Sequence, residues 1–367
     1  MIVSRRPLRS ANVGYDVAAC LLCQWRSFST SYRQLAEKPP ATDPSPSKPQ
    51  SKSTPNPSTP TPKGPTTPPL PTSPLEDAPR AYGKSHQEFT PKPLSRPIGL
   101  PYPPKAGENS GVDTRTLKQR RDDFVDYDKH LARRKVLTHK VATPYFREWS
   151  NMRFHKGKSF LAPPRIFKSD LALYFPNLQG QTLVKDKEPR DTTPLFQDKV
   201  TVVSIFNTQW AENQAATFAS EKNNPELHEA IRNSGGIAQM VQINFEENWM
   251  KAMIVRMFMP SLRKKLAAKN WGRYFLVRKG FTEEIRDAIG LLNSKVGYTY
   301  LLDGECRIRW AGSGRSEGNE NDSLVKAVTR LVENARAKQT EKATISQKPV
   351  DKGLDLAGNE KAATTGE

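Results

Sequence analysis

Proline sets the outer limits on what this chain can fold into. Of its 31 prolines, 21 lie between Pro39 and Pro104, mixed with Ser, Thr and Lys. Each one fixes φ and removes an amide donor, so the stretch cannot join a helix or the interior of a sheet. It also lacks the apolar surface needed to offset chain entropy. Residues 36–112 are therefore expected to form an extended, disordered linker. The end of the chain reads similarly for another reason: residues 338–367 are small, charged and aperiodic, and a disordered tail is expected there. What remains suffices for one buried domain over residues 170–337, preceded by a basic helical extension over residues 113–169.

Ahead of the linker the composition changes again. Before Glu37 the only acidic residue is Asp16, set against Arg5, Arg6, Arg9, Arg26, Arg33 and several serines. An Arg-rich, Ser-rich, acid-poor start is the composition of a mitochondrial transit peptide, and the apolar run at 17–22 is too short for a secretory signal. R-S-F-S-T-S at 26–31 resembles a two-step processing pattern, which places the final cut near Leu35 and makes residues 1–35 the signal. C-L-L-C at 20–23 has redox spacing but is discarded with that signal, leaving Cys306 alone in the mature chain. No run reaches the roughly eighteen apolar residues that a membrane-spanning helix needs.

Net charge is +19, and its distribution matters more than its size. Residues 1–112 carry +7, residues 113–170 carry +8, and residues 171–367 only +4. A nucleic-acid-binding domain concentrates its cations on the fold itself. Here the excess lies upstream, which suits an anionic membrane surface or an acidic partner.

Within the extension, a helix is expected over 114–140, with Leu117, Phe124, Tyr127 and Leu131 as a narrow apolar stripe. The following block, 145–160, alternates aromatics with cations. Tyr145, Phe146, Trp149 and Phe154 are expected to clamp the extension onto the domain; stacking on RNA bases is the alternative. In the domain, V-T-V-V-S-I-F at 200–206 reads as a strand buried on both faces, turning through Asn207–Gln214 into a helix. A second strand is expected at 237–243, then a helix over 249–259 that Pro260 breaks. A short strand at 274–277, a helix capped by Thr282, and strands at 298–302 and 307–310 around Asp303-Gly304-Glu305 follow. Leu324, Val325, Val328, Leu331 and Val332 form the stripe of a last helix. This order describes a mixed α/β sheet flanked by helices.

With those residues, the order resembles the thioredoxin-like fold of the redoxin group. The matching blocks are F-P-N-L-Q-G-Q-T-L, V-V-S-I-F leading to T-Q-W-A-E-N-Q, and Y-T-Y-L-L-D-G-E-C-R-I-R-W-A-G-S-G. Active members of that group carry a thiol where the turn meets a helix N-terminus, whose dipole favours the thiolate. Here the degenerate turn holds Gln209, Trp210 and Asn213 instead, and no proline precedes Tyr298. The five histidines are scattered, and no metal-ligand, Walker or nucleophile-elbow spacing appears. No cofactor, metal or catalytic residue is therefore expected.

One helix stands out. Met250, Met253, Ile254, Met257 and Phe258 follow helical spacing, and five of the seven methionines lie between Met240 and Met259. Met-rich faces adapt to varied apolar partners, and Arg263, Lys264, Lys265 and Lys269 follow closely, as at an anionic surface. A core helix has the same pattern, so burial decides between the two. In the blocks W-S-N-M-R-F-H-K-G-K-S-F-L-A-P-P-R-I-F-K-S-D-L-A-L-Y-F-P-N-L-Q-G, F-N-T-Q-W-A-E-N-Q and W-A-G-S-G, the chain resembles the fungal mitochondrial ATP synthase assembly factor family over about residues 143–336. The resemblance implies a non-catalytic chaperone on the matrix side of the inner membrane. It implies as partners the proton-channel subunit a (subunit 6) and the c-ring, while the charge distribution points to an anionic membrane surface and not to nucleic acid. A thioredoxin-like oxidoreductase using Cys306 and a mitoribosome-associated RNA binder remain the alternatives.

Overall fold

Every residue from Val200 to Phe206 is buried, as an apolar, β-branched run with helices on both sides requires. This strand, β3, is central in a computed structural model that describes residues 75–346 apart from positions 83, 84, 143 and 145. The expected transit peptide, the C-L-L-C at 20–23 and residues 36–74 of the expected linker lie outside the described residues. The remaining strands are β1 (Gln179–Thr182), β2 (Pro189–Asp191), β4 (Ala238–Phe245), β5 (Tyr274–Val277), β6 (Tyr298–Leu302) and β7 (Ile308–Ser313). They form a seven-stranded sheet in the order β2-β1-β5-β4-β3-β6-β7. β3 runs parallel to β4, and β4 to β5, while β6, β7, β1 and β2 pair antiparallel with their neighbours.

The helices are α1 (Leu117–Val125), α2 (Tyr127–Ala142), α3 (Arg147–Asn151), α4 (Thr193–Phe196), α5 (Gln209–Ala219), α6 (Pro225–Asn233), α7 (Trp249–Lys265), α8 (Glu283–Ala288) and α9 (Glu320–Ser346). Short polar caps start several of them: Thr208, Asn224, Asn248 and Thr282 each accept a main-chain N–H of the first turn. The βαβ unit β3-α5-β4, followed by the β6-β7 hairpin and α9, gives the strand order and directions of a thioredoxin-like fold. The β1-β2 hairpin and β5 extend one edge in the redoxin manner.

Alternation along β3 and β6 divides the core. Val203, Ile205, Tyr298, Tyr300 and Leu302 face one side, and Val200, Val202 and Leu301 the other. On the second side Phe218 of α5 and Leu324, Val328 and Leu331 of α9 cover the sheet, with Trp310 edge-on to Phe218. The first side is closed by α8 and by a segment expected to be linker. Leu75, Ala78, Leu94 and Ile98 are buried there beside Phe160 and Phe175.

That segment corrects the expected extent of the linker. Residues 75–112 form a strap whose prolines sit where no amide is needed. Its main-chain bonds run from Leu94 N to Leu161 O, from Gly99 N to Ala288 O, and both ways between Leu100 and Tyr174. Other boundaries also differ. The single extension helix is two, because the Asp126 carboxylate accepts from Asp128 N and Lys129 N and so starts α2 afresh. Pro260 does not break α7: it forgoes one main-chain bond, while Met259 and Leu262 on either side hold the helix to the core. Finally, α9 passes the expected tail boundary at 338 and reaches Ser346.

Candidate functional site

The parallel strands β3 and β4 end on the same side of the sheet, and a groove of about 470 Å³ opens there. Asn207 and Thr208 form one wall, Glu148 and Trp149 of α3 another, and Lys251 and Arg286 reach in from α7 and α8. Its charges are largely paired. The Glu148 carboxylate accepts from Ser294 N at 3.0 Å and Ser294 Oγ at 2.7 Å, with Lys295 Nζ 3.7 Å away. Arg286 binds Glu247. Tyr82 donates to Asp287, which burial raises above its ordinary value, partly opposed by Arg80.

At this point a redoxin carries its thiol. Here α5 is capped by the Thr208 hydroxyl, which accepts from Ala211 N at 3.1 Å. The helix end that would stabilise a thiolate is filled by a neutral oxygen. The residue before Tyr298 is Gly297, and a Cβ there would lie 2.2 Å from Ala211 O, so α5 approaches β6 more closely than any side chain allows. Gln214 fixes this contact: its Oε1 accepts from Gly297 N, and its Nε2 donates to Lys156 O in the extension. Gln209, Trp210 and Asn213 lie exposed on α5 rather than in the groove, with Gln209 donating to Glu212 and Asn213. Sequence alone missed Asn207, Thr208 and Gln214, whose roles depend on a strand end and a distant glycine.

Cys306, the free cysteine of the described residues, is far from this turn. Ile205 pairs with Tyr298, and Thr201 with Leu302, so the hairpin holding Cys306 lies at the opposite end of β3. Burial, with Asp303 and Asp198 nearby, pushes its thiol up to about 12. The thiolate needed for exchange is thereby disfavoured.

Helix α7 borders the groove through Asn248 and Lys251 and continues away from it. Its inner face packs Ala252 and Met259 against Phe206, Ala211, Tyr274 and Leu276. On its outer face Met250, Met253, Ile254, Met257 and Phe258 are all exposed, Met257 by 72%. Burial thus decides the question the sequence left open: the five residues belong to the solvent face, not the core. Trp249 and Trp210 add exposed aromatic surface at the start of α7 and on α5. No helix among the described residues is long and apolar enough to cross a membrane.

The expected aromatic clamp is corrected. Phe146 and Trp149 are exposed, Phe154 is half-buried beneath the Arg153 guanidinium, and Tyr145 lies outside the described residues. The extension is instead fixed by the buried Phe160 and by polar groups. Lys158 Nζ lies 2.8 Å from the Glu320 carboxylate, which also accepts from Ala162 N at 2.7 Å. Ser313 Oγ accepts from Ser159 N and Phe160 N and donates to Phe160 O.

Comparison with known proteins identifies relatives of the chain. Residues 79–331 match the family model of the ATP10 protein. A protein named mitochondrial ATPase complex subunit ATP10 from Eremothecium gossypii is 27% identical over 245 residues, covering 66% of this chain and 86% of its own length. A protein of the same name from Saccharomyces cerevisiae is 26% identical over 262 residues, covering 67% and 89%. Among solved structures, a DsbF homologue from Corynebacterium diphtheriae aligns over 45% of this chain and 91% of its own, at 17% identity and a TM-score of 0.29.

Proposed function

The chain belongs to the ATP10 protein family, and from that premise we propose that it acts in mitochondria as a non-catalytic assembly factor for the ATP synthase. Its relatives are named as subunits of the mitochondrial ATPase complex. The finer role is to shelter apolar segments of newly made subunit a (subunit 6) of the Fo sector while that subunit joins the c-ring. The protein does so from the matrix face of the inner membrane.

The observation that carries this reading is the outer face of α7. Five large apolar side chains stand exposed on one face of a helix that carries Arg263, Lys264 and Lys265 in its last turn. A contiguous apolar patch of this kind is a binding surface for another apolar element. Three of the five are methionines, whose unbranched thioethers repack around clients of different shape. The turn at Thr208 supports a role without redox chemistry, since it offers a hydroxyl where exchange needs a thiolate.

The test is a double variant, Met253→Asp with Met257→Asp, expressed in fungal cells depleted of their own copy. Both positions face solvent, so the variant is expected to accumulate normally while assembled ATP synthase is lost. Normal assembly supported by a stably folded double variant sinks the reading.

A further inference from the structure

Beside α7, on the side away from the Thr208 turn, a groove of about 860 Å³ runs along the β1-β5 part of the sheet. Its charged lining is Lys187, Arg256, Arg263, Arg278 and Lys279, and no carboxylate lines it. Elsewhere on the sheet and its helices Arg232, Arg286, Arg307 and Arg309 each meet an acidic partner. Among the described residues, Lys187, Arg256, Arg278 and Lys279 form no ion pair. Arg263 is held in place but not neutralised. Its guanidinium donates to the Leu183 carbonyl at 2.6 Å and to the Val184 carbonyl at 3.4 Å, and both acceptors are uncharged.

Two features point to an oxyanion. Arg278 Nε is buried and has no hydrogen-bond partner among the described residues, a donor whose desolvation is not compensated within the protein. The cations also come from three separate elements: the turn after β1, helix α7 and the end of β5. Convergence of Arg and Lys from different elements, without counter-charge, is the arrangement that holds a phosphate. The groove wall then identifies the carrier of that phosphate. Met259 and Pro260 line it, and Arg256 follows Met253 by one helical turn, so the groove opens beside the exposed apolar face of α7. A free phosphate has no use for such a neighbour, whereas a phospholipid places its acyl chains there.

We propose that this groove binds the headgroup phosphate of an anionic phospholipid and holds α7 at the membrane surface. The inference rests on the reading of α7 as a client surface and supplies its location: the lipid site anchors the helix where an apolar client segment meets the bilayer.

The test is co-flotation of the full chain with three vesicle preparations: phosphatidylcholine alone, phosphatidylcholine with phosphatidylglycerol, and phosphatidylcholine with cardiolipin. Binding is expected only to the two anionic preparations. Arg278→Gln is expected to weaken it about fivefold, and Arg256→Gln/Arg278→Gln/Lys279→Gln about a hundredfold, from roughly a fivefold loss per cation removed at an anionic surface. Lys222→Gln, in the loop before α6, is the charge control and is expected to bind as the parent does. Arg256 and Lys279 are exposed, so Arg256→Gln/Lys279→Gln keeps the test valid should Arg278→Gln disturb folding. Flotation of the triple variant equal to the parent overturns the proposal. So does displacement from cardiolipin vesicles by millimolar inorganic phosphate at constant ionic strength, which identifies a soluble phosphate as the ligand. Failure of the client reading is separable: it shows as lost capture of client at α7 with vesicle binding intact.

Discussion

Lys158 and Glu320 are 162 positions apart in sequence and 2.8 Å apart in space. Lys158 is 1% exposed in its side chain, and its Nζ also donates to Arg315 O. The pair joins the extension to the first turn of α9, where a carboxylate also meets the helix dipole favourably. Lys158→Met leaves Glu320 buried without its counter-charge, and the expected loss of stability is about 3–5 kcal/mol. Urea denaturation of the variant checks this, and a loss below about 1 kcal/mol, the level of an exposed pair, contradicts it. Nothing local marks Lys158 for burial. It stands in H-K-G-K, a run that reads as cations facing water, and its partner is half a chain away. Cys306 was legible only in part: the sequence placed it in a hairpin away from the turn and left an oxidoreductase using it as an alternative, whereas its burial is seen only in the fold.

At the scale of elements, α7 has two apolar faces with different duties. Met259 packs inward, so Met259→Ala is expected to cost about 2–5 kcal/mol, as truncation of a buried methionine does. Met253→Ser and Met257→Ser, on the outer face, are expected to stay within about 0.5 kcal/mol of the parent. Thermal denaturation of the three variants separates the faces, and a large loss from Met257→Ser contradicts the assignment. The pattern of α7 in the sequence announced an apolar helix but not which side was covered, because methionine, isoleucine and phenylalanine ring most of its circumference. Strands β3, β5 and β6 were legible, since they are short runs dominated by apolar and β-branched residues. β1 and β2 were not: Q-G-Q-T and P-R-D carry no strand pattern, and β1 exists because β5 offers it an edge, as β1 in turn does for β2. The strap at residues 75–112 was hidden for a third reason. Its prolines outweigh Leu94, Ile98 and Leu100 in composition, yet those three residues are buried in the fold.

For the whole molecule, buried acids set the alkaline limit. Burial pushes the Tyr298 and Tyr274 hydroxyls from an ordinary 10.0 up to about 12, and the Cys306 thiol from 9.0 up to about 12. Their protonated forms are favoured in the fold, so this stability is complete below the unfolded values. It is lost as pH rises from about 9 to about 12, at about 1.4 kcal/mol per group per pH unit. Urea midpoints are expected to fall steadily across that window, and a flat profile contradicts the burial of these groups. At this scale the fold class was legible because the succession of strands and helices along the chain is read directly from the residues, although the spatial order of the strands is not. The site was legible as an absence, a turn without sulfur, and as a helix without a stated side.

The central claim is that the outer face of α7 receives apolar segments of subunit a. A photo-crosslinker placed at Met257 in isolated mitochondria, with newly made mitochondrial products labelled, tests it most directly. The expected result is an adduct with subunit a that is absent when the crosslinker stands at Lys222. Efficient crosslinking from Met257 to other proteins, with none to subunit a, would contradict it.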